Sequence, residues 1–285
     1  MPELPEVETV KRGLVKHILG KKIVDVVINN PKVIREPKKE LFVKGLTNET
    51  IKNVLRKGKL LILELASGRA LAIHLKMTGQ LVLRMPPSTS PERAKRAERL
   101  VYPGNARLSR VSFKLSDGKI LDFNDQRLFA ELRLVDDWKK LKFIQGLGPE
   151  PFDLTLERFS GMLALKKTKI KPLLLDQAFI AGIGNLYAAE VLFRAKINPL
   201  RPASSLSAKE KAALFKEIKD TLSEAIHYKG SSVDQYVQLS GEAGSYAKYH
   251  KVYGREGKPC LVCKTLIKRI ALGGRGTYFC PHCQR

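Results

Sequence analysis

Four cysteines near one end of the chain and a proline beside a glutamate at the other are the residues whose types and spacing could do chemistry. Cys260-x2-Cys263 and Cys280-x2-Cys283 are two close pairs separated by sixteen residues. Two such pairs converge on a zinc tetrahedron when a β-hairpin brings them together, and TLIKRIAL–GGRG–TYF supplies that hairpin. Thiolate at all four positions leaves no place for a catalytic water, so one Zn2+ here is structural and serves folding. The hairpin turn Gly273-Gly274-Arg275-Gly276 sets one arginine amid three glycines. It reads either as a plain tight turn or as a close backbone approach with Arg275 forking onto a phosphate. At the other terminus the chain opens MPELPEVETV. The plain reading is the start of a helix, where proline tolerates its missing N–H. The sharper reading is that removal of Met1 exposes Pro2 as a secondary amine with Glu3 at its side.

Composition narrows the partner. Among 285 residues, Lys and Arg number 52 against 28 Asp and Glu, a net charge of +24. Such an excess implies an anionic partner, nucleic acid first and an anionic membrane surface second. The cations recur along the whole chain, as a surface around a long polyanion requires; a generally basic thermophile protein is the plainer account. No stretch approaches the ~18 continuous apolar residues of a membrane span. Glu3, Glu6, Glu8 and Lys11 interrupt any signal-peptide core, so a cytoplasmic location is expected. Cysteines confined to the last 26 residues argue against a disulfide framework.

The elements that must position these groups fall into two kinds. Val7, Val10, Leu14 and Ile18 recur at helical spacing, with Gly20 closing the run. Residues 22–28, 59–65, 70–75, 80–84, 110–115 and 119–124 then read as strands, with turns at Ser67-Gly68 and Asp117-Gly118. Residues 86–106 read as a long basic loop with a short helix over 91–99. Past Gly148-Pro149-Glu150-Pro151 the period becomes helical, over 156–165, 185–195 and 207–228, the last opened by a Ser207/Glu210 capping box. The fold class is therefore α+β. An antiparallel β-sandwich with a leading helix is expected over 1–146, a helical domain over 147–250 and the four-cysteine hairpin over 251–285.

With these pieces in place, the chain resembles formamidopyrimidine-DNA glycosylase, the bacterial bifunctional enzyme that excises oxidised purines. The resemblance rests on MPELPEVETV, LGPEP (147–151), AGIGNLYAAEVLF (181–193), VYGREGKPC (252–260) and GRGTYFCPHCQR (274–285). It implies that Pro2 is the nucleophile, Glu3 the general acid, and Lys59 both an aid at the sugar and a phosphate contact. His74, Asn185 and Arg275 match further phosphate contacts, Asn185 within a helix–two-turn–helix element. Met77, Arg127 and Phe129 match the side chains that fill the gap left by an extruded base. Glu6 matches a carboxylate near the lesion pocket, and Gly241, Glu242, Ala243 and Gly244 fall in the lesion-covering loop. The implied partner is duplex DNA with oxidised bases or abasic sites, met by a monomer.

Several departures from the family pattern bear on specificity. Ala130 follows Phe129 where the family has Gly, straining the turn by roughly 1 kcal/mol if that position takes φ > 0. Lys76 precedes Met77, residues 86–106 are long, and QLSGEAGSY (238–246) lacks the usual Gly-Lys-Pro-Gly, leaving a loop that two glycines keep flexible. An endonuclease VIII-like activity on oxidised pyrimidines is the competing enzyme. A non-catalytic zinc-dependent DNA-binding or damage-sensing protein, or a ribosome-associated RNA-binding factor, leaves Pro2 and Glu3 without a purpose.

Overall fold

Helix α1 (Leu4–Ile18) forms because its apolar residues share one face: Val7, Val10, Leu14 and Ile18 are all buried. Glu3 is the N-cap of a capping box with Glu6, and Gly20 (φ 75°) turns the chain away just beyond the C-cap Leu19. In the computed structural model, which describes residues 1–85 and 109–285, this helix belongs to the first of two compact units. That unit comprises Met1–Gln145 with Tyr228–Ser245; the second comprises Gly146–His227 with Tyr246–Arg285. The expected loop and helix over 86–106 lie outside the described residues.

The first unit carries two sheets. One has four antiparallel strands in the order β1 (Ile23–Ile28), β7 (Ser109–Leu115), β8 (Ile120–Asp125), β6 (Gly79–Arg84). The other runs β2 (Ile34–Glu36), β9 (Glu131–Val135), β5 (Ala70–His74), β4 (Leu60–Leu65), β3 (Ile51–Lys57). Its pairings are antiparallel except β2 with β9, which is parallel and departs from the all-antiparallel expectation. Both sheets and α1 contribute to one apolar core, which includes Phe113 and Phe123 from one sheet and Leu61 and Ile73 from the other. Helix α2 (Lys39–Leu46) seats Phe42 and Leu46 in the same core.

The second unit is helical, with α3 (Leu156–Ala164), α4 (Ile170–Leu175), α5 (Asn185–Arg194) and α6 (Ala208–His227). The Ser207/Glu210 capping box forms in both directions, at 2.8 and 3.3 Å. Helix α5 is buried along nearly its whole length, Leu186 to Phe193. The hairpin β10 (Lys268–Leu272) and β11 (Arg275–Phe279) closes the unit. No helix among the described residues is long and apolar enough to cross a membrane.

One boundary differs from the expectation of a continuous 147–250 domain. Tyr228–Ser245 joins the first unit because Tyr236 and Leu239 sink into its core. The Leu83 N–H donates to Leu239 O at 2.9 Å, and Gly13 gives Leu239 its space, since a Cβ there would stand 3.1 Å from the leucine's own.

Candidate functional site

Pro2 and Glu3 lie buried at the start of α1, Glu3 with only 5% of its surface exposed. While Met1 is attached, the Pro2 nitrogen is an amide and cannot attack; the free amine belongs to Met1, 4.0 Å from the Asp234 carboxylate. Glu6, 3% exposed, accepts from the Glu3 N–H at 2.8 Å through Oε2 and from the Ser231 N–H at 2.9 Å through Oε1. It is thus more than a first-turn carboxylate favoured by the helix dipole: it ties the N-terminal end of α1 to a segment 225 residues away. A Cβ at Gly230 (φ 77°) would meet Glu6 Oε1 at 2.9 Å, so this approach requires glycine. The Tyr236 ring packs against the same glycine, 3.0 Å from where a Cβ would stand. Burial, and then the charge of Glu6, raises its phenol pKa far above the ordinary value, and its O–H donates to Lys229 O at 3.1 Å.

Lys59, 8% exposed, follows Gly58 (φ 56°) at the β3–β4 turn, and its neighbour Leu60 pairs with His74 across β4–β5. Burial first, then the Lys76 ammonium, pushes His74 down to about 4, against the opposing pull of Glu131; Lys59 adds to the depression. His74 is therefore neutral near pH 7. Its Nδ1 accepts from the Lys76 N–H at 3.0 Å, which places the ring proton on Nε2. The imidazole is a fixed neutral donor.

Met77, Arg127 and Phe129 come together. The Arg127 guanidinium lies 4.7 Å over the Phe129 ring and 3.6 Å from Met77 Sδ, with Met77 and Phe129 about half exposed. Sequence reasoning missed the residue that builds this cluster. Asp125, fully buried, accepts from the Arg127 N–H (3.2 Å), the Ala130 N–H (2.8 Å) and the Thr78 hydroxyl. The expected strain at Ala130 does not arise: the left-handed residue of the loop is Leu128 (φ 58°), and Ala130 packs fully buried above Gly79.

In the second unit Asn185 is the first residue of α5, at the helix end whose dipole favours an anion. Its Oδ1 accepts from Lys171 Nζ at 2.6 Å and its Nδ2 donates to Gly276 O at 3.1 Å. Lys171, 1% exposed and not foreseen, also donates to Thr277 Oγ1 at 2.8 Å and Gly276 O at 3.2 Å. The buried ammonium fixes both the Asn185 amide and the zinc hairpin. Arg275 is exposed as the first residue of β11, just after the Gly273-Gly274 turn, whose φ values of 57° and 70° suit a two-residue hairpin.

The four cysteine sulfurs lie within 4.8 Å of one another, with Cys263–Cys280 at 3.4 Å and Cys260–Cys283 at 3.9 Å. Sulfurs at ~2.3 Å from a tetrahedral zinc stand ~3.8 Å apart, so the donor set fits the ion. N–H groups of Val262 and Cys283 point at Cys260 and Cys280 Sγ, each at 3.4 Å, and orient those sulfurs.

Gly241, Glu242, Ala243 and Gly244 are held, contrary to the flexible loop expected. Gly241 N–H donates to Gln238 O, Glu242 O accepts from Gln238 N–H, and Gly244 N–H donates to Ser232 Oγ, all at 2.8–2.9 Å. The segment just before them, Ser231 to Tyr236, is the part brought to Glu6, and Gln235 bonds both Gln126 and Gln80.

Three family descriptions match: "Formamidopyrimidine-DNA glycosylase N-terminal domain" over residues 1–132, its "H2TH domain" over 147–237, and "Zinc finger found in FPG and IleRS" over 257–285. Formamidopyrimidine-DNA glycosylase of Pelotomaculum thermopropionicum is 43% identical, over 100% of this chain and 99% of that one. The Streptococcus pneumoniae serotype 4 protein is 41% identical at the same coverage. Among solved structures, a Lactococcus lactis Fpg mutant with Fapy-dG DNA superposes with a TM-score of 0.86 at 34% identity, covering 100% of both chains. The MutM (Fpg) protein of Thermus thermophilus gives 0.82 at 36%, covering 99% of this chain and 98% of that one. This chain belongs to the formamidopyrimidine-DNA glycosylase family, the bifunctional glycosylase/lyases of base-excision repair.

Proposed function

We propose that the chain excises oxidised purines, 8-oxoguanine and formamidopyrimidines, from duplex DNA and then cleaves the strand at the abasic site. The observation that carries this is the buried Glu3 beside Pro2, with the backbone between them and α1 locked by Glu6. Once Met1 is removed, the Pro2 lone pair attacks C1′, the bond to the base breaks with its electrons leaving on the base, and the proton shed by the Pro2 nitrogen neutralises that base. Glu3 protonates O4′ as the sugar opens, giving a cationic iminium. That cation acidifies the C2′ proton, whose loss expels the 3′ phosphate; a second elimination expels the 5′ phosphate. A terminal amine has an ordinary pKa near ~8, so a useful fraction is unprotonated at neutral pH.

Each unit supplies its own DNA-directed groups: Lys59, His74, Met77, Arg127 and Phe129 in the first, Asn185 and Arg275 in the second. Met77, Arg127 and Phe129 fill the gap left by the extruded base. One Zn2+ on Cys260, Cys263, Cys280 and Cys283 holds the hairpin and takes no part in the reaction. A Lactococcus lactis Fpg is known bound to DNA with an oxidised pyrimidine, which favours pyrimidine lesions as second substrates. Trapping tests both readings. Borohydride added to the protein on duplexes with one oxidised purine or pyrimidine should leave a covalent adduct on the N-terminal peptide, more with the purine. An adduct on an internal lysine removes Pro2 from the reaction.

The neutral state of His74 gives a second expected result. Arg275→Ala should weaken DNA binding and lower the slope of log affinity against log salt by about one counterion, ~0.9. His74→Ala should weaken binding with the slope unchanged, because a neutral donor displaces no counterion. A slope change for His74→Ala would mean that it binds phosphate as imidazolium.

A further inference from the structure

Lys59 needs a reason to sit where it does, since lysine is flexible and its turn begins with a left-handed glycine. One hold on that turn lies three residues earlier. The Arg56 guanidinium donates through Nε to Glu8 Oε2 at 3.0 Å and through Nη1 to Gly58 O at 2.9 Å. The first bond reaches α1, two residues past Glu6; the second holds the carbonyl that precedes Lys59. Arg56 and Glu8 side chains are only 11% and 14% exposed, so solvent screens this pair far less than a surface pair. Burial raises the Glu8 carboxyl, but bonds from Arg12 and Arg56 outweigh it and hold the group below its usual range, charged at neutral pH. Arg12 donates at 2.9 Å from the exposed side of the helix.

We propose that Arg56 is a positioning residue, one planar fork that clamps the helix bearing Pro2 and Glu3 to the turn bearing Lys59 and so sets Lys59 for the reaction at the sugar. The guanidinium is suited to this because its donors are rigidly disposed, whereas a lysine ammonium is a point charge. Lysine at position 56 can still pair with Glu8 but cannot also fix Gly58 O. The inference rests on the role proposed for Lys59, and the experiment separates the two.

Arg56→Lys, Lys59→Met and the double variant are compared with the parent protein in single-turnover excision of a formamidopyrimidine lesion. Thermal unfolding and affinity for duplex with an abasic analogue are measured on each. Arg56→Lys should slow excision about tenfold, as a small misplacement of a reacting group does, with the unfolding midpoint and abasic-site affinity nearly unchanged. The double variant should be no slower than Lys59→Met alone, because Arg56 acts through Lys59. Full excision by Arg56→Lys, with Lys59→Met slow, overturns the positioning role and leaves Lys59 in place. Multiplicative losses in the double variant overturn it too, since Arg56 then acts elsewhere. Full excision by Lys59→Met removes the role of Lys59 and the proposal with it.

Discussion

Glu3→Gln should bind lesion-bearing duplex as the parent does and leave the base in place, with single-turnover excision slowed about a thousandfold. The substitution keeps the shape and an oxygen acceptor at the N-cap of α1, and the backbone N–H bond to Glu6 does not involve the altered group. Folding should change little; losing a cap entirely costs only about 1 kcal/mol. On the mechanism proposed above, what is lost is the proton for O4′. Without it the sugar ring opens as an alkoxide in a site where Glu3, only 5% exposed, is shielded and water supplies a proton poorly. Pre-formed abasic sites already interconvert with the open aldehyde, so the lyase step on them should fall much less than base excision. That ratio is the diagnostic. Equal losses on lesion and abasic substrates would assign Glu3 to the elimination, and normal excision would take it out of the mechanism.

What the sequence made legible was local. The zinc module, α1 and the capping box of α6 each lie within a short run of chain, and their spacing alone announces them. Met77, Arg127 and Phe129 were named from the family resemblance, and the structure gathers all three. Two of the partners that went unread act at a distance in sequence: Lys171 bonds Thr277 106 residues away, and the Ser231 N–H reaches Glu6 across 225 residues. Neither a buried lysine nor a serine N–H leaves a periodic signal. Strand β3 escaped because only Ile51 and Val54 of IKNVLRK are buried, which breaks the alternation of a strand. The segment 228–245 was assigned by continuity along the chain, whereas the burial of Tyr236 and Leu239 decides where it packs.

Removing the metal should weaken DNA binding by the same factor as removing Arg275, and the two losses should not add. A two-stranded hairpin is marginal on its own, and structural zinc contributes roughly 10–16 kcal/mol to such modules. The chain gives this hairpin other anchors. Cys260, Ile267 and Cys280 pack with Phe193 of α5, Gln284 bonds Cys280 N–H and Ile197 O at 2.8 and 2.9 Å, and Lys171 holds Gly276 and Thr277. Cys280→Ser or chelation should therefore leave the helices of the second unit folded while the hairpin loses its fixed turn. Arg275 at the head of β11 then samples many positions, and a charge-assisted bond worth about 1.5–3 kcal/mol is forfeited, roughly a ten- to hundredfold loss of affinity. Arg275→Ala made in the zinc-free protein should cost nothing further, because the contact is already gone. Titrations of parent, Arg275→Ala, zinc-free and doubly altered protein against one duplex, with far-ultraviolet circular dichroism on each, give the comparison. Additive losses would mean that the zinc supports a second DNA contact besides Arg275. Full affinity in the zinc-free protein would mean that α5 and Lys171 suffice to hold the hairpin.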